Sequence, residues 1–216
     1  SRWSRACSPE AGLDGYHAWA RLKGIALVGT GDFTHPRHLA DIGAKLVERD
    51  GLLALRDPPR DAPLEGARPA DLPVRFVPTA EISSIYKKGG ATRKVHSLVL
   101  VPTVDDARRL AARLATLGNI ASDGRPILGL DPKDLLAMLL EISPGAFLVP
   151  AHVWTPWFSL FGSRSGFDRI EDCFEDLAPH VVALETGLSS DPDMNRRWSA
   201  LDRFRLVSNS DAHSPA

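Results

Sequence analysis

The chain has 216 residues, 44% hydrophobic and 25% charged, enough to bury a real core as one domain over 1–216, and no apolar run approaches the roughly 18 residues that cross a bilayer. Lysine and arginine total 26 against 27 aspartates and glutamates, which excludes a whole-surface field for holding a polyanion and leaves local patches as the electrostatic route to nucleic acid. Two cysteines, Cys7 and Cys173, exclude a disulfide scaffold and a four-cysteine zinc module, and fit a cytoplasmic, nucleoid-associated protein.

The chain opens at Ser1-Arg2-Trp3 without methionine and stops just past a strand-like run, so it reads as a segment of a longer protein. Residues 25–28 are a short apolar run that predicts a strand, followed by a helical pattern over 36–50. Five prolines among many charges make 57–73 an irregular surface excursion. Strands follow at 74–77 and 95–101, and a helix at 104–117 whose Val104, Ala107, Leu110, Ala111 and Leu114 form a one-sided stripe. A helix at 131–141, a strand at 146–149, a helix at 167–177, a strand at 181–184, a helix at 193–201 and a strand at 204–207 complete the pattern. Such alternation of strands and helices predicts a parallel sheet, open or closed.

In parallel α/β folds the functional groups gather at the carboxyl ends of the strands. Five of the runs lead into a metal-capable or acidic group: Asp32 and His35 after the first, Glu81 after the second, then His152, Glu185, and the pair Asp211 and His213. His96 departs from this pattern, near the start of its run. Histidine with carboxylate is the ligand set of zinc, manganese and related ions, and a bridging carboxylate suits a site of two or more. Any single member could equally be a satisfied core histidine or a helix-capping acid; agreement at five strand ends is what points to a shared site. His17, His38 and His180 lie on helix-like or loop segments and are set aside.

Five longer motifs carry a resemblance. Gly29-Thr30-Gly31-Asp32-Phe33-Thr34-His35-Pro36, the stretch 79–90 with Glu81, the stretch 150–162 with His152, the stretch 183–192 with Glu185, and Val207-Ser208-Asn209-Ser210-Asp211-Ala212-His213-Ser214-Pro215 resemble the endonuclease Q family across nearly the whole chain. That family belongs to the polymerase-and-histidinol-phosphatase (PHP) superfamily of metal-dependent phosphoesterases. The resemblance implies a distorted (β/α)7 PHP-type barrel, incomplete at both ends. It makes Glu81 a bridging carboxylate, gives His96 and His152 one ion, closes the cluster with Asp211 and His213, and places Asp32 at a position that usually supplies a ligand. Glu81, Asp211 and His213 are the residues it implicates in catalysis. The superfamily's first motif, a His-x-His, would fall just before Ser1, and the family's zinc module and C-terminal region lie outside this sequence. The cofactors implied are divalent ions, zinc, manganese or magnesium, two or three in the intact protein. The implied activity is nicking of DNA on the 5′ side of deaminated bases (uracil, hypoxanthine, xanthine) and abasic sites, with a sliding clamp or other repair proteins as further partners.

Reading a deaminated base requires its Watson–Crick edge, which a duplex hides, so extrusion of the nucleotide is the physical expectation. Trp154, Trp157 and Phe161 after His152 offer stacking faces, and Glu185, Ser189, Ser190 and Asn195 offer donors and acceptors. Tyr86, Lys87, Lys88, Arg93 and Lys94 bracket Gly89-Gly90 between Glu81 and His96 and are candidates for a phosphate clamp, with Arg125 a further one. The bland readings are core packing for the rings and a solvated hairpin for the charges. Two rival functions stand beside the nuclease: a small-molecule phosphoesterase of the histidinol-phosphatase kind, which needs a compact anion pocket without basic and aromatic loops, and a non-catalytic DNA-binding module.

Overall fold

Two adjacent glycines shape the longest strand pair. A computed structural model describes residues 1–59 and 64–216, and in it Gly89 and Gly90 take φ of 59° and 76°, the left-handed pair that a two-residue hairpin turn demands and that side chains with a Cβ resist. The chain therefore folds back on itself between two ten-residue strands.

In chain order the elements are α1 (Leu13–Lys23), β1 (Leu27–Gly29), α2 (Pro36–Lys45), β2 (Leu46–Arg49), β3 (Leu52–Leu55), β4 (Arg75–Val77), β5 (Thr79–Lys88), β6 (Ala91–Leu100), α3 (Val104–Ala115), β7 (Ile127–Leu128), α4 (Pro132–Ile142), β8 (Phe147–Pro150), α5 (Ile170–Phe174), β9 (Ala183–Glu185), α6 (Pro192–Asn195) and β10 (Arg205–Val207). The strands fall into three sheets, ordered β1-β4-β3-β2, β7-β5-β6-β8 and β10-β9. Pairing is parallel for β1 with β4, β5 with β7 and β9 with β10, and antiparallel for the rest.

The expected α/β class holds as a mixed fold of several sheets and helices, and among the described residues no closed barrel forms. Antiparallel pairs interrupt the strand–helix alternation read from the sequence. The predicted helix over 36–50 ends at Lys45, because Leu46–Arg49 turns into a strand that pairs with Leu52–Leu55. The predicted helices over 167–177 and 193–201 each shrink to a short α segment followed by a 3-10 turn. Residues 60–63 of the predicted excursion over 57–73 lie outside the described residues, and its remaining positions carry no helix or strand.

Helix ends follow their caps. Thr103 accepts from the Asp106 amide at 3.0 Å at the start of α3, and Asp131 accepts from Lys133 at 2.9 Å with Pro132 in the first turn of α4. The predicted stripe on α3 holds, with Ala107, Leu110, Ala111 and Leu114 buried. They join a hydrophobic cluster running from Leu13 through Phe33, Phe76, Ile82, Val99, Leu139 and Phe174 to Phe204. No helix among the described residues is long and apolar enough to cross a membrane.

Candidate metal centre

Register builds the centre from the hairpin outward. Glu81 pairs with Leu98 and Ser83 with His96 across β5 and β6, so the two-residue pleat puts Glu81 and His96 on one face, diagonal to each other. Pro150 at the end of β8 pairs with Ser97, and the Ala151 amide donates to the His96 carbonyl at 3.0 Å, which brings His152 alongside. One donor atom from each of Glu81, His96 and His152 lies within 4.8 Å of the others. His96 Nδ1 is 2.7 Å from Glu81 Oε1 and 3.2 Å from His152 Nε2, and His152 Nε2 is 3.7 Å from the same oxygen. The expectation of convergence from distant positions holds for these three.

The surroundings fix the ring of His152. Thr155 Oγ1 lies 2.8 Å from His152 Nδ1 and within 3.2 Å of the carbonyls of His152 and Trp157. A hydroxyl has one proton, so Thr155 either donates it to one of these carbonyls and accepts from Nδ1–H, or donates it to Nδ1. In the first arrangement Nδ1 carries the proton, and Nε2, which faces Glu81 and His96, is free to bind a metal. The backbone is constrained as well: His152 has φ of 29°, an uncommon conformation for a residue other than glycine, and its amide donates to Glu185 Oε2 at 2.7 Å. Asn209 Nδ2 donates to Glu185 Oε1, also at 2.7 Å. Buried Glu185 thus clamps the His152 backbone.

Charge follows the same geometry. Burial alone would raise the Glu81 pKa, but hydrogen bonds from His152 and His96 and the nearby Arg125 guanidinium hold it far below the usual carboxylate range. Burial lowers the pKa of His96 in spite of Glu81, whereas for His152 the pull of Glu81 and then Glu185 outweighs burial and raises it. Two imidazole nitrogens and an ionised carboxylate within this span form an N,N,O donor set that fits a divalent cation such as zinc or manganese.

Asp32, Asp211 and His213, the other expected ligands, lie outside this group. The Asp32 carboxylate contacts the amino group of Ser1 and packs on Gly124, where a Cβ would collide with it. Gly124 adjoins Arg125, whose Nη1 is 3.3 Å from Glu81 Oε2, so Asp32 and Glu81 flank one loop. Asp211 and His213 are exposed on the segment that follows Asn209.

Several of the expected DNA contacts are occupied inside the protein. Lys88 bonds Asp131 at 3.0 Å, Glu175 at 2.8 Å and the Cys173 carbonyl at 2.8 Å. Arg93 bonds the Gly166 carbonyl and lies over Phe167, and the Tyr86 hydroxyl faces Cys173. Trp154 packs on Phe161 and Trp198 and donates to the fully buried Asn195. That asparagine also donates to Ser190 and to the Asp191 carbonyl. Lys87, Ser189 and Trp157 are exposed, and the Lys94 ammonium sits 5.0 Å over the Trp157 ring and 5.3 Å over Phe158. Phe158 in turn lies 4.8 Å from the His96 ring. Thr155 and Phe158 were not among the predicted site residues; the signal for Thr155 was a hydroxyl three positions after a candidate ligand.

No family model matches the chain. Among curated proteins it is 33% identical over 126 residues to the uncharacterized protein YqxK of Bacillus subtilis, covering 56% of this chain and 30% of that one. It is 26% identical over 173 residues to the uncharacterized protein MJ0043 of Methanocaldococcus jannaschii, covering 80% and 18%. Two solved structures match over the full chain at 30% identity. One is the crystal structure of the lesion-specific endonuclease PfuEndoQ from Pyrococcus furiosus (TM-score 0.79); the other is an endonuclease Q complex with a 27-mer duplex bearing an abasic lesion at the active site (TM-score 0.80). The chain spans under a third of the curated relatives and about half of the solved ones, 47% and 48%. A shared backbone over all 216 residues, with identity at this level, relates the chain to the endonuclease Q family.

Proposed function

We propose that this chain forms the metal-binding part of a DNA repair endonuclease, one that hydrolyses the phosphodiester 5′ of deaminated bases (uracil, hypoxanthine, xanthine) and of abasic sites. The observation that carries the reading is the convergence of Glu81, His96 and His152, with His152 Nε2 facing the other two and Thr155 beside Nδ1. The structural neighbour bound to duplex DNA with an abasic lesion supports the substrate class. A divalent ion held there would supply Lewis acidity, neutralising phosphoryl charge and making water more acidic.

The protein's own groups account for the rest. Glu81 stays ionised at neutral pH and brings its charge to the site. Exposed Lys87, together with Lys94, places positive charge on the face of the hairpin that carries Glu81 and His96, where a phosphate backbone would run. The exposed Trp157 ring, held under Lys94 and next to Phe158, gives an extruded nucleotide a surface to stack on. Compact small-molecule specificity fits this open, basic and aromatic surround poorly.

The test uses the full-length protein with Mg²⁺ or Mn²⁺ on duplexes containing uracil, hypoxanthine or an abasic site. Glu81→Gln and His152→Ala are expected to drop nicking to background while duplex binding survives. Nicking by Glu81→Gln at the wild-type rate would sink the metal-centre reading, and cleavage of undamaged duplex at equal rate would sink the lesion reading.

A further inference from the structure

The two oxygens of Glu81 have different partners. Oε1 faces the imidazoles, and Oε2 is 3.3 Å from Arg125 Nη1. The Arg125 side chain remains 40% exposed, against 19% for Glu81 and 8% for His96, so Arg125 is the most exposed member of a cluster of which only His96 is buried. Glu81 engages one of the guanidinium's five N–H donors.

The backbone under Arg125 is pinned on every side. Its amide donates to Asp123 Oδ1 at 3.1 Å, an oxygen that also accepts from Ser4. The Gly124 amide donates to the Trp3 carbonyl at 3.0 Å, and the Pro126 carbonyl accepts from Ser83, two residues past Glu81, at 3.0 Å. Gly124 cannot carry a Cβ without displacing Asp32. A surface arginine that merely balanced Glu81 would need none of this support, since its long stem adapts to find a carboxylate.

We propose that Arg125 is the phosphate anchor of this site, sharing its guanidinium between Glu81 Oε2 and a non-bridging oxygen of the bound phosphodiester. The planar fork suits both partners at once, as a lysine ammonium would not. The inference rests on the DNA-processing reading above and adds the residue that grips the phosphate beside the metal ligands.

The experiment reads binding without turnover. Fluorescence anisotropy of the full-length protein with an abasic duplex is measured in EDTA across a salt series, for wild type, Arg125→Ala and Arg125→Lys. Arg125→Ala is expected to weaken binding about 5- to 20-fold and to lower the salt slope by about one phosphate contact, with Arg125→Lys restoring the slope but not the full affinity. Circular dichroism and thermal melting confirm that each variant is folded. An unchanged dissociation constant and slope in folded Arg125→Ala would overturn the proposal and leave Arg125 as a counter-ion to Glu81. The nuclease reading fails separately, through absence of nicking by wild type with metal, whatever Arg125 does to binding.

Discussion

Thr155 shows how much of the site depends on a single proton. When its hydroxyl donates to a carbonyl it receives the Nδ1 proton of His152, and Nε2 is freed to act as a ligand. Thr155→Val keeps the shape but removes the acceptor, and is expected to weaken Mn²⁺ or Zn²⁺ binding by about 10- to 100-fold in calorimetry; Thr155→Ser should retain most of it. Trp157→Ala should weaken binding of a uracil-containing duplex by about 5- to 150-fold, the equivalent of about 1–3 kcal/mol for one stacked base, with little change in thermal stability because half of the ring is already in solvent. Glu81 and His152 could be found from sequence because they follow apolar runs. The roles of Glu185, Thr155 and Arg125 could not, since they depend on which atom comes within hydrogen-bond distance across the fold.

At the scale of the element, the β5–β6 hairpin is the platform, and its tip is tied down. Lys88 and Lys133 both bond Glu175, whose φ of 51° marks the break between α5 and the following 3-10 turn. Those two lysines hold the Glu175 carboxyl down at about 2. A depressed carboxyl stabilises the fold fully above its ordinary value near 4.5 and loses that contribution as pH falls toward 2. Glu175→Gln should therefore lower the melting temperature relative to wild type at pH 6, with the gap closing between pH 4.5 and 2; a gap that persists at pH 2 would deny the linkage. Replacing Gly89 and Gly90 with alanines puts Cβ atoms on left-handed backbone and should loosen the hairpin, read as faster amide exchange along β5 and β6. Gly89-Gly90 was visible as a turn between Glu81 and His96, whereas the strand at Leu46–Arg49 was read as helix. Its polar and apolar residues fit either period, and pairing with Leu52–Leu55 decided the matter.

Across the whole molecule, α3 and α4 cover the buried strands through Leu110, Leu114, Leu135 and Leu139, all shielded from solvent. Leu110→Ala is expected to cost about 2–5 kcal/mol in denaturant unfolding while leaving metal affinity within about twofold, because α3 supplies none of the three donors. The sequence by itself determined the α/β class, the amphipathic face of α3 and the candidacy of Glu81 and His152, since periodicity and residue chemistry are properties of short stretches, with His96 reached through the family resemblance. Tertiary structure alone decided that the strands divide into three sheets, that Lys88 and Arg93 are spent on internal contacts, and that Arg125 meets Glu81. Those outcomes depend on pairing between residues tens of positions apart, where the closest partner in space wins and local pattern carries no record of it.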